Sequence, residues 1–193
     1  MHQGKRIINV DESWLGMTDF RRMKWAVKGH PRSSIRLQVA PRISMIVGLD
    51  TTGAVYLSLL QANNNSNTME LFFKSLVRKL DRERPNWRKN TVILIDNAPY
   101  HASKAFYDMA DGLQLPIIFS GPHSYSAAPI ELWFAHFKRS DINPRHVKTG
   151  KTHFNEVVRL VVERAQQIPL QHRVLFWRHC LQHVYRYLHC QNI

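Results

Sequence analysis

Two spacings of apolar residues alternate along the chain. Val92, Ile93, Leu94 and Ile95 run without interruption into Asp96, between the polar Asn90 and Pro99. A short, mostly β-branched run of this kind predicts a buried strand of a mixed sheet. The strand has to end at Asp96, because Asn97 and Pro99 are turn formers. Arg6–Trp14 has the same grammar: Ile7, Ile8 and Val10 climb to Asp11. Ile43–Asp50 and Ala54–Leu60 flank Thr51-Thr52-Gly53, which reads as a hairpin, so the first three strands are expected to be antiparallel. Leu115–Phe119 makes a fifth strand.

Between and after these runs the period lengthens to that of a helix. Met69–Arg82 places Leu71, Phe72, Leu76 and Leu80 on one stripe, with Asn67 or Thr68 as the cap. Ser103–Asp111 predicts a short helix stopped by Gly112. Another helix opens at Ser126–Glu131, with Pro129 in its favoured first-turn position, and closes near Asp141–Pro144. Two more follow, Phe154–Gln167 and Leu170–Cys190, parted near Pro169. The last is expected to pack Leu175, Phe176, Val184 and Tyr187 inward and to show histidines and arginines outward. Strands interleaved with helices predict an α/β fold, a mixed five-stranded sheet with helices on both faces. We expect one domain over residues 1–193, with a helical C-terminal extension from about 150.

Charge adds a partner to this picture. The 193 residues carry 27 Lys and Arg against 14 Asp and Glu, a formal +13, with a sequence pI near 10.2. Such an excess points to a polyanion, and nucleic acid is the expected one. The basic stretch Phe20–Arg42, including Arg21, Arg22 and Lys24, reads as a surface arm. No apolar run approaches the roughly 20 residues of a membrane span, so no membrane partner is expected. The two cysteines, Cys180 and Cys190, sit ten residues apart on one predicted helix, about 15 Å along its axis. They are too distant to bridge each other, and a reducing compartment is expected.

The candidate chemistry lies in acids at strand ends. Asp11 and Asp96 finish two strands, and Glu131 stands one turn into the helix that follows the fifth. Taken singly each has a plain explanation: a turn former, or a carboxylate favoured by the helix dipole. Brought together, three carboxylates need neutralising, and hard divalent cations prefer oxygen ligands. Two such ions about 4 Å apart can clamp both oxygens of a phosphodiester displacement. Glu12, by strand alternation, is expected to face solvent on the other side. His101, five residues after Asp96, is a candidate for meeting a phosphate or a metal-bound water; a loop histidine bonded to backbone is the equal alternative. Lys138, two turns beyond Glu131, and its neighbour Arg139 are candidates for DNA phosphate. His179 and His183 have the spacing of a zinc pair, but no motif supplies a third ligand.

Three segments resemble the catalytic domain of the mariner-type transposase superfamily. Val10-Asp11-Glu12-Ser13 is similar to its first-acid motif, and Asp96-Asn97-Ala98-Pro99-Tyr100-His101 to its second. Pro122–Glu131 is similar to the third, ending Pro129-Ile130-Glu131. Thirty-four residues lie between Asp96 and Glu131, the spacing of the Asp-Asp-Glu members. The family's Ser-Pro and Asn-Pro pairs read Ser124-Tyr125 and Ala128-Pro129 here, so the helix entry is expected to be weakened or capped by Ser126 instead. The resemblance implies an RNase H-like fold and metal-dependent nicking and strand transfer of DNA. Asp11, Asp96 and Glu131 would hold two Mg²⁺, with Mn²⁺ able to substitute. Implied partners are transposon ends and target DNA, and either a second copy or a subunit supplying sequence-specific binding. The family's N-terminal DNA-binding module is not expected in this chain, which starts ten residues before Asp11. The site of action would be the nucleus in a eukaryote, otherwise the cytoplasm or nucleoid. Two other readings compete: a co-opted, non-cleaving DNA- or protein-binding subunit, and another RNase H-like nuclease.

Overall fold

The computed structural model describes residues 5–16, 43–61, 63–99, 101–121, 124–139, 142–143 and 151–190. Arg21, Arg22 and Lys24, candidates for DNA contact, lie outside the described residues. Five strands form one sheet: β1 (Arg6–Leu15), β2 (Ile43–Asp50), β3 (Val55–Leu60), β4 (Thr91–Ile95) and β5 (Ile117–Phe119). Their order is β3-β2-β1-β4-β5. The hairpin strands β1, β2 and β3 are antiparallel, while β4 runs parallel to β1, and β5 to β4. β1 is thus the middle strand. Val10 pairs with Ile95, so the residues that follow them, Asp11 and Asp96, leave adjacent parallel strands side by side. β1 does not stop at its acid, however; it continues beside β2 to Leu15.

Helices cover both faces: α1 (Ser66–Glu83), α2 (Trp87–Asn90), α3 (Lys104–Gly112), α4 (Pro129–Lys138), α5 (Phe154–Gln167) and α6 (Leu170–Cys190). Strand alternation divides the core in two. Ile8, Val10, Ile93 and Ile95 pack with Met69 and Phe73 of α1 and Phe106 of α3. On the opposite face Met45, Val47 and Leu49 pack with Trp133 and Phe137 of α4, Val161 of α5 and Trp177 of α6. Trp133 and Phe137 are stacked with centroids 5.0 Å apart, and both are fully buried. Burying one large apolar side chain of this kind contributes about 1.5–3 kcal/mol. Gly53 turns the β2–β3 hairpin at φ +83°. A Cβ there would stand 2.6 Å from Leu170 Cδ1, so the glycine lets the start of α6 close onto the turn.

Several local expectations are corrected. The cap of α1 is Asn65, not Asn67 or Thr68; Thr68 sits at the third helical position and completes a reciprocal capping box. Leu71 is 61% exposed, and Phe73 and Val77 take the inward positions instead. The stripe is wider than the four residues read from sequence, and its centre lies further round the helix. Among the described side chains of α6, Trp177 and Cys180 are buried and Phe176 packs partly buried against the core as expected, while Leu175 and Val184 are exposed. The side chain of Tyr187 lies outside the described residues. The fifth strand is only three residues long. Ala128 precedes α4 with no side-chain cap.

Candidate active site

That missing cap is supplied from another element. Asn9, two residues before Asp11 on β1, accepts the Ile130 N–H at 3.1 Å and donates through Nδ2 to the Leu94 carbonyl at 3.3 Å. One buried amide therefore joins the central strand, its parallel neighbour and the first turn of α4. A helix start leaves its first N–H groups without intrahelical partners, and here a tertiary contact takes one of them. The effect is to hold Glu131, the next residue, in the cleft with Asp11 of β1 and with Asp96 at the tip of β4.

Asp11, Asp96 and Glu131 line one cleft of about 600 Å³, together with Asn9, Asn97, Ser120 and Ser124. Two other hollows, of about 520 and 780 Å³, have no carboxylate in their walls. Chemistry rather than volume singles out the acidic one. The Asp11 carboxyl accepts the Glu12 N–H at 2.7 Å. Burial pushes its pKa up to about 7, the charge of Glu12 adds to this, and Glu131 and Asp96 push the same way; the Glu12 N–H opposes them.

Glu12 is not solvent-facing, which corrects the expectation. Alternation does send it to the face opposite Asp11, but there the loop before α3 covers it, and its side chain is only 7% exposed. Its Oε1 lies 3.0 Å from His101 Nε2. The other ring nitrogen, Nδ1, is 2.6 Å from Asp96 Oδ1 and 3.2 Å from the Asp96 carbonyl. The His101 ring is fully buried beside Phe106. Burial favours the neutral ring, but the hydrogen bond and charge of Glu12 and those of Asp96 outweigh it and raise the pKa. The structure therefore encloses His101 between two carboxylates, away from any phosphate on the surface.

Lys138 donates to the Trp14 carbonyl at 3.1 Å, and Arg139 is exposed just beyond the end of α4. His179 and His183 are exposed, and no cluster of three potential ligands among the described residues includes them. The donor set of the cleft suits a hard divalent cation: three carboxylates, oxygen atoms only, one of them with its pKa raised by burial and then by its neighbours' charge. Among the described residues, however, the one group of three whose donor atoms all lie within 4.8 Å of one another is Glu12, Asp96 and His101; Asp11 and Glu131 share the cleft with Asp96 without closing to that distance. Glu12, Asp96 and His101 are already joined by hydrogen bonds, so an ion there would have to displace the imidazole protons. Asp96 is the one residue common to both groups.

The profile of a family described as DDE superfamily endonuclease matches residues 6–153, which include every residue of this cleft. The chain belongs to that family. Among curated proteins, this DDE chain is similar to the Mariner Mos1 transposase of Drosophila mauritiana, 29% identical over 132 residues. The match covers 64% of this chain and 38% of that transposase. Among solved structures, a pre-cleavage Mos1 transpososome superposes with a TM-score of 0.70 at 21% identity, over 96% of this chain and 55% of that one. The catalytic domain of Mos1 mariner transposase superposes at 0.62 and 21% identity, over 92% and 76%. These likenesses establish the RNase H-like fold, with its mixed five-stranded sheet. Glu12 and Asn9 are the residues that sequence reasoning missed. Asn9 had a visible signal, a polar residue inside the run Ile7-Ile8-Asn9-Val10 that must find buried partners.

Proposed function

We propose that the chain is the catalytic part of a mariner-type transposase, cutting DNA strands and joining their ends with the help of divalent cations. The observation that carries this reading is the meeting of Asp11, Asp96 and Glu131 in one cleft within the matched DDE region. Solved relatives include a Mos1 paired-end complex with Mn and a Mos1 strand transfer complex, which supports the same chemistry here. Asp11, Asp96 and Glu131 would hold two Mg²⁺, or Mn²⁺ in their place. Bound there, the ions supply a polarised phosphodiester and an activated attacking oxygen.

Each protein group has its own task. Asp11, from β1, would hold a cation whose charge would oppose the burial and acidic neighbours that otherwise favour its protonated form. Asp96 presents its carboxylate from the strand tip. Glu131, carried by α4, closes over the pair. Lys138 uses one donor on Trp14; an ammonium has three, so two remain for phosphate oxygens. Arg139 and the basic residues Arg21, Arg22 and Lys24 would bind DNA backbone further out, a sequence-independent contact. Sequence-specific binding would come from a second copy or a partner subunit, with the nucleus the place of action in a eukaryote and the cytoplasm or nucleoid in a bacterium.

Asp96→Asn tests the assignment, since it removes charge and keeps shape. Nicking of supercoiled or element-end DNA in Mg²⁺ should fall at least 100-fold, with an unchanged circular-dichroism spectrum and retained DNA binding. A variant that still nicks at the parent rate refutes the site. A parent chain that binds DNA but cleaves nothing in Mg²⁺ or Mn²⁺ would instead indicate a co-opted binding subunit.

A further inference from the structure

Glu12 contributes to the wall of the cleft, but its carboxylate meets the fully buried His101 ring. Glu12 leaves β1 on the face opposite Asp11, so two consecutive acids serve the two sides of one strand. The His101 backbone closes a turn onto the Ala98 carbonyl at 2.9 Å, which fixes the loop that carries the ring. The ring packs against Phe106 with centroids 5.4 Å apart, and no part of it reaches solvent. Its two nitrogens face carboxylates 3.0 and 2.6 Å away, on neighbouring strands. Both hydrogen bonds that the structure gives the Asp96 carboxylate, from His101 and from the Ala98 N–H at 3.4 Å, go to Oδ1. Yet the Asp96 side chain is 51% exposed and would swing without them.

We infer that Glu12 and His101 are positioning residues for Asp96: Glu12 fixes the imidazole, and the imidazole holds Oδ1 so that the carboxylate meets the cation in one orientation. This rests on reading the cleft as a cation site. Hydrogen-bonded partners behind a ligand change affinity for the ion by about 10–100-fold when removed.

The test measures cation binding without DNA. Thermal unfolding of the full chain is followed against Mn²⁺ concentration, for the parent and for Glu12→Ala, Glu12→Gln, His101→Asn, Asp11→Asn and Asp96→Asn. Glu12→Ala should raise the Mn²⁺ concentration for half-maximal stabilisation about tenfold or more. Glu12→Gln, which still accepts from Nε2, should restore most of the affinity. His101→Asn keeps an N–H near the Nδ1 place and loses Glu12, so combining it with Glu12→Ala should add nothing. Saturating Mn²⁺ should return much of the cleavage rate of Glu12→Ala but not of Asp96→Asn. If Asp11→Asn and Asp96→Asn weaken Mn²⁺ binding while Glu12→Ala, folded, does not, the positioning role is wrong and the cleft stands. If none of the five changes Mn²⁺ binding, the cleft reading itself fails. Should Glu12→Ala not fold, ¹⁵N-histidine spectra of the parent chain decide: the His101 ring signals, assigned with His101→Asn, should move on Mg²⁺ addition. Unmoved signals in a chain that Mg²⁺ stabilises would overturn the proposal.

Discussion

The β1–β2 pair holds two acids under opposite terms. Asp50 ends β2 at the Ile8 level, is fully buried, and has every oxygen occupied. Arg6 Nε and Nη2 donate to its Oδ2, and Arg6 also reaches the Tyr56 hydroxyl. Thr52 N–H and hydroxyl and the Ala54 N–H donate to its Oδ1 at 2.7–2.9 Å. Asp11 lies further along β1, against Val47, with one backbone donor on Oδ1 and three acids around it. The first arrangement is complete and locks the hairpin. The second is left with few donors among other acids in a cleft, which is what a group kept for an external cation looks like.

Removing the cation that completes the first site should have the largest effect. Arg6→Ala leaves Asp50 buried without a counter-charge and should destabilise the fold by about 3–5 kcal/mol in urea or thermal unfolding. Asp11→Asn should act in the opposite direction. The Asp11 pKa is raised from 3.8 to about 7 on folding, so its neutral form is the one the fold favours. Stability owed to this group is present below about pH 4 and is lost as pH rises to about 7. At pH 8 without divalent cation the asparagine variant should therefore be more stable than the parent, by up to about 4 kcal/mol, and unable to cleave DNA. The same argument has Mn²⁺ stabilise the parent more at pH 8 than at pH 5. A smaller effect is expected at the joint between the strand and α4. Asn9→Ala removes one helix N–H partner and should cost about 1–2 kcal/mol. It should lower cleavage by loosening Glu131. An Asn9→Ala chain of parental stability and activity would show that α4 is held by packing alone.

Much of this contrast was legible in the chain, but not the part that assigns each acid its end. Ile43–Asp50 climbs to a carboxylate just as Arg6–Asp11 and Thr91–Asp96 do. Only the antiparallel pairing sends Asp50 to the opposite edge, and pairing is tertiary information. Strand β4, the start of α4 at Pro129 and both final helices followed from periodicity and turn chemistry. Glu12 was misjudged because alternation gives the face, not what covers it; a loop 89 residues away does that. Leu71 was misjudged because two adjacent apolar residues cannot both centre a stripe, and Phe73 and Val77 decide which one yields.

The middle place of β1 in the sheet has a kinetic corollary. Its residues Ile8–Val10, which lead into Asp11, are paired with neighbours on both sides, so no edge exists there from which they can fray. In deuterated solvent their amide protons should exchange only through global unfolding. The first acid of the cleft would then keep its backbone for as long as the chain remains folded, whatever the surrounding loops do.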